Sequence, residues 1–325
     1  MIERQLGRSG ITVSGLGLGC WAIGGPFWAG EQPLGWGEVD DAESVQAIRR
    51  GLELGVTFFD TADVYGVGHS EEVLGRALEG RRSEVVIATK FGNAFDQATR
   101  QLTGQDASPD YLRAACEASL RRLGTDYIDL YQFHVGDYDP AGAAEVREGL
   151  EKLVREGLIR AYAWSTDDPE RARVFADGEH CTAVQHELNV FNDAGEMLSV
   201  CEALGLASIN RGPLAMGLLT GKFTAASKLA QNDVRGKEPA WMRYFKDGSP
   251  TPEFLEKLGA VRDLLTSGGR TLTQGALGWI WARSGATVPI PGFRTVEQVE
   301  ENAEALSFGP LSASAVREIG AVLGR

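Results

Sequence analysis

Short apolar, β-prone runs recur along this chain, each ending in a polar or charged side chain, and they alternate with longer stretches in which apolar residues return every three or four positions. The first pattern predicts strands buried on both faces, and the second predicts amphipathic helices. Glu3 to Ser14 reads as a small hairpin turning at Ser9-Gly10, and a short apolar segment follows from Leu16 to Gly19. Strands are then predicted over Val56–Asp60, Glu84–Lys90, Tyr127–His134, Leu158–Trp164, Thr182–Glu187, Leu206–Asn210 and Thr287–Ile290. Helices are predicted over Asp41–Leu54, Ser70–Leu78 with Ser70 as N-cap, Ser108–Leu123, Ala143–Glu156, Asp168–Phe175 and Ala194–Ala203. Four more follow over Pro252–Thr266, Leu272–Arg283, Val296–Leu306 and Ala313–Leu323.

Counted from Leu16, the strands alternate with helices as repeated βα units, which implies a parallel sheet. No segment stands out as an edge strand and no linker divides the chain, so the expected fold is α/β: a closed (β/α)8 TIM barrel with an N-terminal β-hairpin, residues 1–325 forming one domain. A doubly wound open sheet is the rival architecture. Gly17-Leu18-Gly19-Cys20-Trp21-Ala22 fits a relaxed dinucleotide fingerprint, but Gly24-Gly25-Pro26 follows where that motif needs a helix, so the segment is expected to be a loop. Two long irregular insertions, Cys20–Asp40 and Gly221–Thr251, carry Trp21, Trp28, Trp36, Trp241 and Tyr244, and loops of this length usually serve function.

Composition narrows the picture. The 325 residues carry a net charge of −13, which argues against nucleic acid as a main partner. No run approaches the ~20 apolar residues of a membrane span, and the N-terminus lacks a secretion-signal core, so a cytoplasmic location is the default expectation. Cys20, Cys116, Cys181 and Cys201 are dispersed and are expected as free thiols. His69, His180 and His186 have no metal-ligand spacing, and no metal is assigned. Charged pairs on helices, Arg81-Arg82 and Glu300-Glu301 among them, are expected on solvated faces.

Three predicted strands end in chemistry-bearing residues: Asp60, Lys90 and His134, with Tyr65 on the loop after the first. In a parallel barrel these ends converge on the face where active sites sit. A lysine ammonium would lower the pKa of a neighbouring phenol, a carboxylate would keep that lysine charged, and a neutral histidine would orient a carbonyl oxygen. Together these groups would protonate an oxygen while hydride reaches its carbon. A Schiff-base role for Lys90, as in aldolase barrels, is the alternative chemistry. The seventh strand runs into Arg211-Gly212-Pro213-Leu214-Ala215-Met216-Gly217, with Lys222 beyond, and the eighth into Pro291-Gly292-Phe293-Arg294 before a helix. Glycine-bearing basic loops at these positions suit phosphates.

FDTADVYGVGHSEEVLGRAL at Phe59–Leu78, ATKFG at Ala88–Gly92, DLYQFH at Asp129–His134 and IPGFRTVEQVEEN at Ile290–Asn302 resemble the motifs of the aldo-keto reductase superfamily, and the likeness spans nearly the whole chain. The resemblance implies a catalytic tetrad of Asp60, Tyr65, Lys90 and His134, with Tyr65 as general acid, and NADPH as the usual cofactor, NADH remaining possible. It implies nicotinamide contacts from Gly19, Cys20, Trp21, Ser165 and Gln185. It places Arg211, Gly212, Leu214, Gly217, Lys222 and Arg235 along the nucleotide, Gly292, Arg294 and Gln298 at the 2′-phosphate, and Glu301 and Asn302 at adenine. Thr166 stands where the family usually has asparagine, and Arg211 where it commonly stacks an aromatic ring. We expect Arg211 either against the nicotinamide or phosphates, or as a surface arginine paired with a carboxylate. Trp21, Trp28, Tyr65, His134 and Trp241 are candidates to line an open mouth for a small-molecule carbonyl substrate: an aldehyde, a ketone or a keto sugar. A different class also shares this fold: cofactor-retaining cytoplasmic subunits of potassium channels. The sequence leaves the oligomeric state open.

Overall fold

The computed structural model describes residues 2–237 and 239–325. Eight parallel strands pair in chain order: β1 (Gly17–Gly19), β2 (Phe58–Asp60), β3 (Val86–Phe91), β4 (Ile128–Phe133), β5 (Ile159–Ser165), β6 (Cys181–Glu187), β7 (Ala207–Arg211) and β8 (Thr287–Pro289). The ring closes where Gly19 N–H donates to Pro291 O at 3.0 Å and Gly19 bridges Gly292. A Cβ on Gly19 would lie 2.8 Å from Ile290 O, so only glycine lets β1 approach β8 this closely. The architecture is the expected closed barrel, and the open sheet is excluded by that closure.

Period-two alternation explains the packing. Inward positions such as Phe58, Val86, Ala88, Leu130, Ala161, Ala163, Ala183, Ala207, Ile209 and Val288 form one apolar cluster inside the barrel. Outward positions such as Phe59, Ile87, Tyr131, Phe133, Trp164 and Val184 pack against the helices in a second, larger one. The N-terminal hairpin, Glu3–Gln5 against Thr12–Ser14, sends Leu6, Ile11 and Val13 into the inner cluster and plugs the barrel at the strands' N-terminal end.

The outer layer contains helices α1 (Asp41–Glu53), α2 (His69–Ala77), α3 (Pro109–Leu123), α4 (Ala143–Arg155), α5 (Pro169–Ala176), α6 (Gly195–Leu204), α7 (Pro252–Leu265), α8 (Leu272–Trp281), α9 (Val296–Phe308) and α10 (Ala313–Val322). Their starts follow capping chemistry. Asp40 Oδ1 accepts from Ala42 N and Glu43 N, Ser108 caps α3 before Pro109, and Thr271 and Gln274 form a reciprocal capping box on α8. None of the described helices is long and apolar enough to cross a membrane.

Three expectations need correction. Ser70 does not cap α2, which begins one residue earlier after Gly68 in the left-handed region. The Ser70 hydroxyl is fully buried and donates instead to Cys20 O at 2.8 Å, because that carbonyl would otherwise lack a partner beneath the rim. Arg82 is not solvated: it binds the buried Asp129 at 2.6 Å and Tyr127 O at 2.9 Å, supplying the counter-charge Asp129 needs. The first long insertion is only partly irregular. Trp28–Ala29 and Gln32–Pro33 join Asn93–Asp96 and Gln101–Gln105, from the loop after β3, in a small four-stranded sheet beside the mouth. The segment from Cys20 onward opens, as expected, without a dinucleotide-binding helix, a 3-10 turn at Trp21–Ile23 standing there instead.

Candidate functional site

The same inward register that fills the barrel with apolar side chains delivers polar ones at its upper end: Asp60 from β2, Lys90 from β3, Gln132 from β4, Ser165 from β5, Gln185 from β6 and Arg211 from β7. A charge placed there is dry, so each needs a partner. Lys90, fully buried, donates to Asp60 Oδ1 at 2.5 Å and Thr61 O at 2.7 Å, and its Nζ lies 3.4 Å from the Tyr65 hydroxyl. The His134 ring stands edge-on to Tyr65 at 6.0 Å between centroids, and Trp21 lies nearly parallel to Tyr65 at 5.9 Å. Trp21 also meets Trp36 edge-on and Trp241 at 6.1 Å, with Trp241 half exposed at the rim. Asp60, Tyr65, Lys90 and His134 are thus brought together around one opening.

The electrostatics follow from burial. Desolvation disfavours the Lys90 ammonium, but Asp60 and Tyr65 more than offset it and hold its pKa above the ordinary lysine value. A permanently charged lysine is a poor Schiff-base nucleophile, which weighs against the aldolase chemistry. Desolvation raises the Tyr65 pKa, and Lys90 offsets this only in part because Asp60 opposes it. The expected net lowering of the phenol is therefore not found here: desolvation outweighs the ammonium, Asp60 adds to it, and Tyr65 stands as a protonated phenol. Desolvation, with Lys90 and Arg211 nearby, holds His134 well below the usual histidine range and keeps it neutral. Its Nδ1 is buried without a protein partner.

Two participants, Gln132 and Asp167, are absent from the sequence-derived candidates. Gln132 Nε2 donates to Asp60 Oδ2 at 2.8 Å, and Gln185 Nε2 donates to the same oxygen at 2.7 Å. The available signal was parity: Gln132 is a polar residue two places before His134, on the face that carries Leu130 inward. Asp167, two residues past Ser165, accepts from Glu187 N at 2.7 Å and pairs with Arg211. Arg211 is therefore half exposed and ion-paired to Asp167 at the rim, and close enough to bear on Tyr65 and His134.

The remaining candidates divide by position. Gly19, Trp21, Ser165 and Gln185 ring the barrel mouth. The Cys20 thiol turns away into the layer beneath the helices, and its backbone is spent on Asp60 O and Ser70. Thr166, where asparagine is usual, gives its hydroxyl to Gly136 O at 2.7 Å. Trp28 lies in the four-stranded sheet beside the mouth, paired with Gln101 and Pro33. After β7, Gly212 and the consecutive Ala215, Met216 and Gly217 adopt left-handed backbone, strained for the two non-glycine residues. Such strain is concentrated at ligand-binding turns. Arg235 is buried, held by Asp233 at 2.6 Å, and stacks on Trp36 with 4.4 Å from guanidinium to ring. Lys222 is depressed in pKa by burial and then by Arg235, with Arg294 adding to it. Arg294 donates to Trp36 O and Glu38 O, and its own N–H to Gln298 Oε1 at 2.8 Å. Gly292 lies at the barrel closure beside these groups, Glu301 is half buried on α9, and Asn302 Nδ2 is buried with no protein partner. Leu214 is buried where the β7 loop turns back. The two insertions also join: Val234 N donates to Gly35 O at 2.8 Å and Trp36 bridges Asp233.

The chain that carries this site has counterparts among known proteins along nearly its whole length. The family model described as "Aldo/keto reductase family" matches residues 15–323. The aldo-keto reductase YhdN of Bacillus subtilis is 33% identical, covering 98% of this chain and 92% of that protein. Among solved structures, the glycerol dehydrogenase AKR11B4 from Gluconobacter oxydans is 30% identical with a TM-score of 0.82, covering 99% of this chain and 95% of the other. An aldo/keto reductase from Klebsiella pneumoniae in complex with NADP and acetate is 27% identical with a TM-score of 0.69, covering 99% and 96%.

Proposed function

This chain belongs to the aldo/keto reductase family, an NAD(P)H-dependent oxidoreductase family, and on that premise we propose that it reduces aldehydes or ketones with NADPH, Tyr65 acting as general acid. The observation that carries the reading is the Lys90 ammonium held between the Asp60 carboxylate and the Tyr65 hydroxyl.

The nicotinamide, when bound, supplies hydride to the carbonyl carbon. Tyr65 then gives its hydroxyl proton to the carbonyl oxygen. The phenolate left behind sits beside the Lys90 ammonium, whose charge stabilises it where water cannot. Asp60 keeps Lys90 charged throughout. Neutral His134 lies beside Tyr65 and orients the carbonyl oxygen without bringing a second positive charge. Trp21 and Trp241 give the mouth an apolar wall. The glycerol dehydrogenase among the relatives acts on a small polyol, which favours hydroxylated carbonyls, keto sugars included, within the substrate class.

Several features fit the cofactor. Asn302 has a buried donor without a partner, which suits an adenine ring edge. Lys222, Arg235 and Arg294 gather positive charge in a chain of net charge −13, which suits phosphates beside Gly212, Leu214 and Gly217. Arg294, Gln298 and Gly292 would hold the 2′-phosphate that separates NADPH from NADH, with Glu301 beside Asn302. Ser165 and Gln185 would hold the carboxamide. The Klebsiella pneumoniae relative binds NADP, which supports the same choice here.

The test is NADPH oxidation against a panel of small aldehydes, ketones and hydroxy-ketones. Turnover of at least one class is expected. Tight NADPH binding with no turnover of any carbonyl would overturn the reductase reading in favour of a cofactor-retaining binding module.

A further inference from the structure

Gln132 belongs to none of the roles assigned above, yet it sits at the centre of the buried polar layer. Its Nε2 donates to Asp60 Oδ2 at 2.8 Å, and its Oε1 accepts from Gln185 Nε2 at 3.1 Å. Gln185 Nε2 also donates to Asp60 Oδ2 at 2.7 Å. All three side chains are buried. An ionised carboxylate only accepts, so both amides must present nitrogen to Asp60. Turning the Gln185 amide over would set its oxygen against the Asp60 carboxylate and the Gln132 carbonyl together. The orientation of Gln185 is therefore fixed, and both of its N–H groups are spent: one on Asp60, one on Gln132. Only Gln185 Oε1 remains for a ligand, and it can only accept.

We propose that Gln132 is a positioning residue: by taking the second Gln185 N–H it turns Gln185 into a pure acceptor, which selects for a nicotinamide bearing an amide N–H and ties that selection to the Asp60–Lys90 pair. This rests on the nicotinamide reading above. A ring carrying a methyl ketone in place of the amide offers Gln185 nothing to accept. Removing Gln132 leaves Asp60 alone holding the Gln185 nitrogen, so the amide can tilt without turning over, one N–H staying on Asp60 and the freed one reaching a ketone or amide oxygen in the mouth.

The experiment titrates NADP⁺ and its 3-acetylpyridine analogue by quenching of tryptophan fluorescence, in wild type, Gln132→Met and Gln132→Asn. Wild type should bind the analogue about fivefold more weakly, the worth of one ordinary hydrogen bond. In both variants that ratio should fall to about twofold or less, mainly because the analogue gains. A ratio unchanged from wild type in a folded variant overturns the proposal, even if the variant is less stable, because a merely structural glutamine would lower stability without altering the ratio. Equal wild-type affinities overturn it too. Binding of neither form would remove the nicotinamide reading itself, and this inference with it, which is distinguishable from binding of both with an unchanged ratio.

Discussion

Replacing Asp60 by asparagine strands a charge. Lys90 is fully buried and the Asp60 side chain is 3% exposed, so neither is rescued by water. Breaking a buried pair by removing one partner typically costs about 3–5 kcal/mol. The ceiling can be worked out: without Asp60, burial is the dominant influence on Lys90 and drives it toward the neutral amine, which it can adopt with Thr61 O still accepting from it at 2.7 Å. Deprotonating a lysine of ordinary pKa ~10.4 at pH 7 costs about 4.6 kcal/mol, so the loss cannot much exceed that. For a chain of 325 residues a loss of about 3–4.6 kcal/mol corresponds to a fall in Tm of about 4–7 °C. The sign of the pH dependence then inverts. In wild type the folded pKa of Lys90 is raised, so its stabilisation is present below pH ~10.4 and is lost above the folded pKa. In Asp60→Asn the folded pKa is lowered, the unfolded chain binds the extra proton, and stability should rise from pH 7 to pH 9 by as much as about 1.4 kcal/mol per pH unit. Urea unfolding followed by tryptophan fluorescence at several pH values measures this. The double variant Asp60→Asn/Lys90→Met should recover most of the stability and none of the activity. A single variant that loses under about 1 kcal/mol, or a double variant whose loss is the sum of the singles, would refute the buried-pair account.

Tyr65→Phe should lower carbonyl reduction by about 10²–10⁴-fold while leaving the NADPH Kd nearly unchanged; near-full turnover would mean the acid is misassigned. His186, whose Nε2 meets Ser208 Oγ at 2.7 Å, is pushed by burial to a pKa of about 4. Its folded pKa lies below the unfolded ~6.5, so stability should fall by up to about 3 kcal/mol as pH drops between those values, and Tm against pH should be flatter for His186→Gln than for wild type, the residual slope including His134. Arg211→Ala should weaken NADPH binding more than NADP⁺ binding, by a differential on the order of 1 kcal/mol or less given the exposed Asp167 pair, read by titrating both forms; equal losses would place the guanidinium on a phosphate, and no loss would leave it as a rim ion pair.

The barrel and the four chemistry-bearing residues were legible in the sequence because each depends on a local rule. Period-two strands alternating with period-3.6 helices set the fold class, and a charged residue ending an apolar strand marks the functional face whatever the barrel's dimensions. Asp60, Lys90 and His134 needed only that rule. What the chain order hides is who meets whom. Gln132 and Gln185 lie 53 positions apart and converge on Asp60 because the stagger of the strands brings their inward faces level. The Asp167–Arg211 pair spans from β5 to β7, and Ser70 reaches a carbonyl 50 residues away instead of capping its own helix. The sign of the Tyr65 shift was likewise decided in three dimensions: a lysine beside a phenol lowers its pKa, but desolvation in the closed barrel outweighs it, and a carboxylate 2.5 Å from that lysine opposes it further. Local patterns determine which side chains enter the barrel's upper layer; only the closed ring, by setting their separations in a medium where every unpaired charge is costly, decides what each one is bonded to.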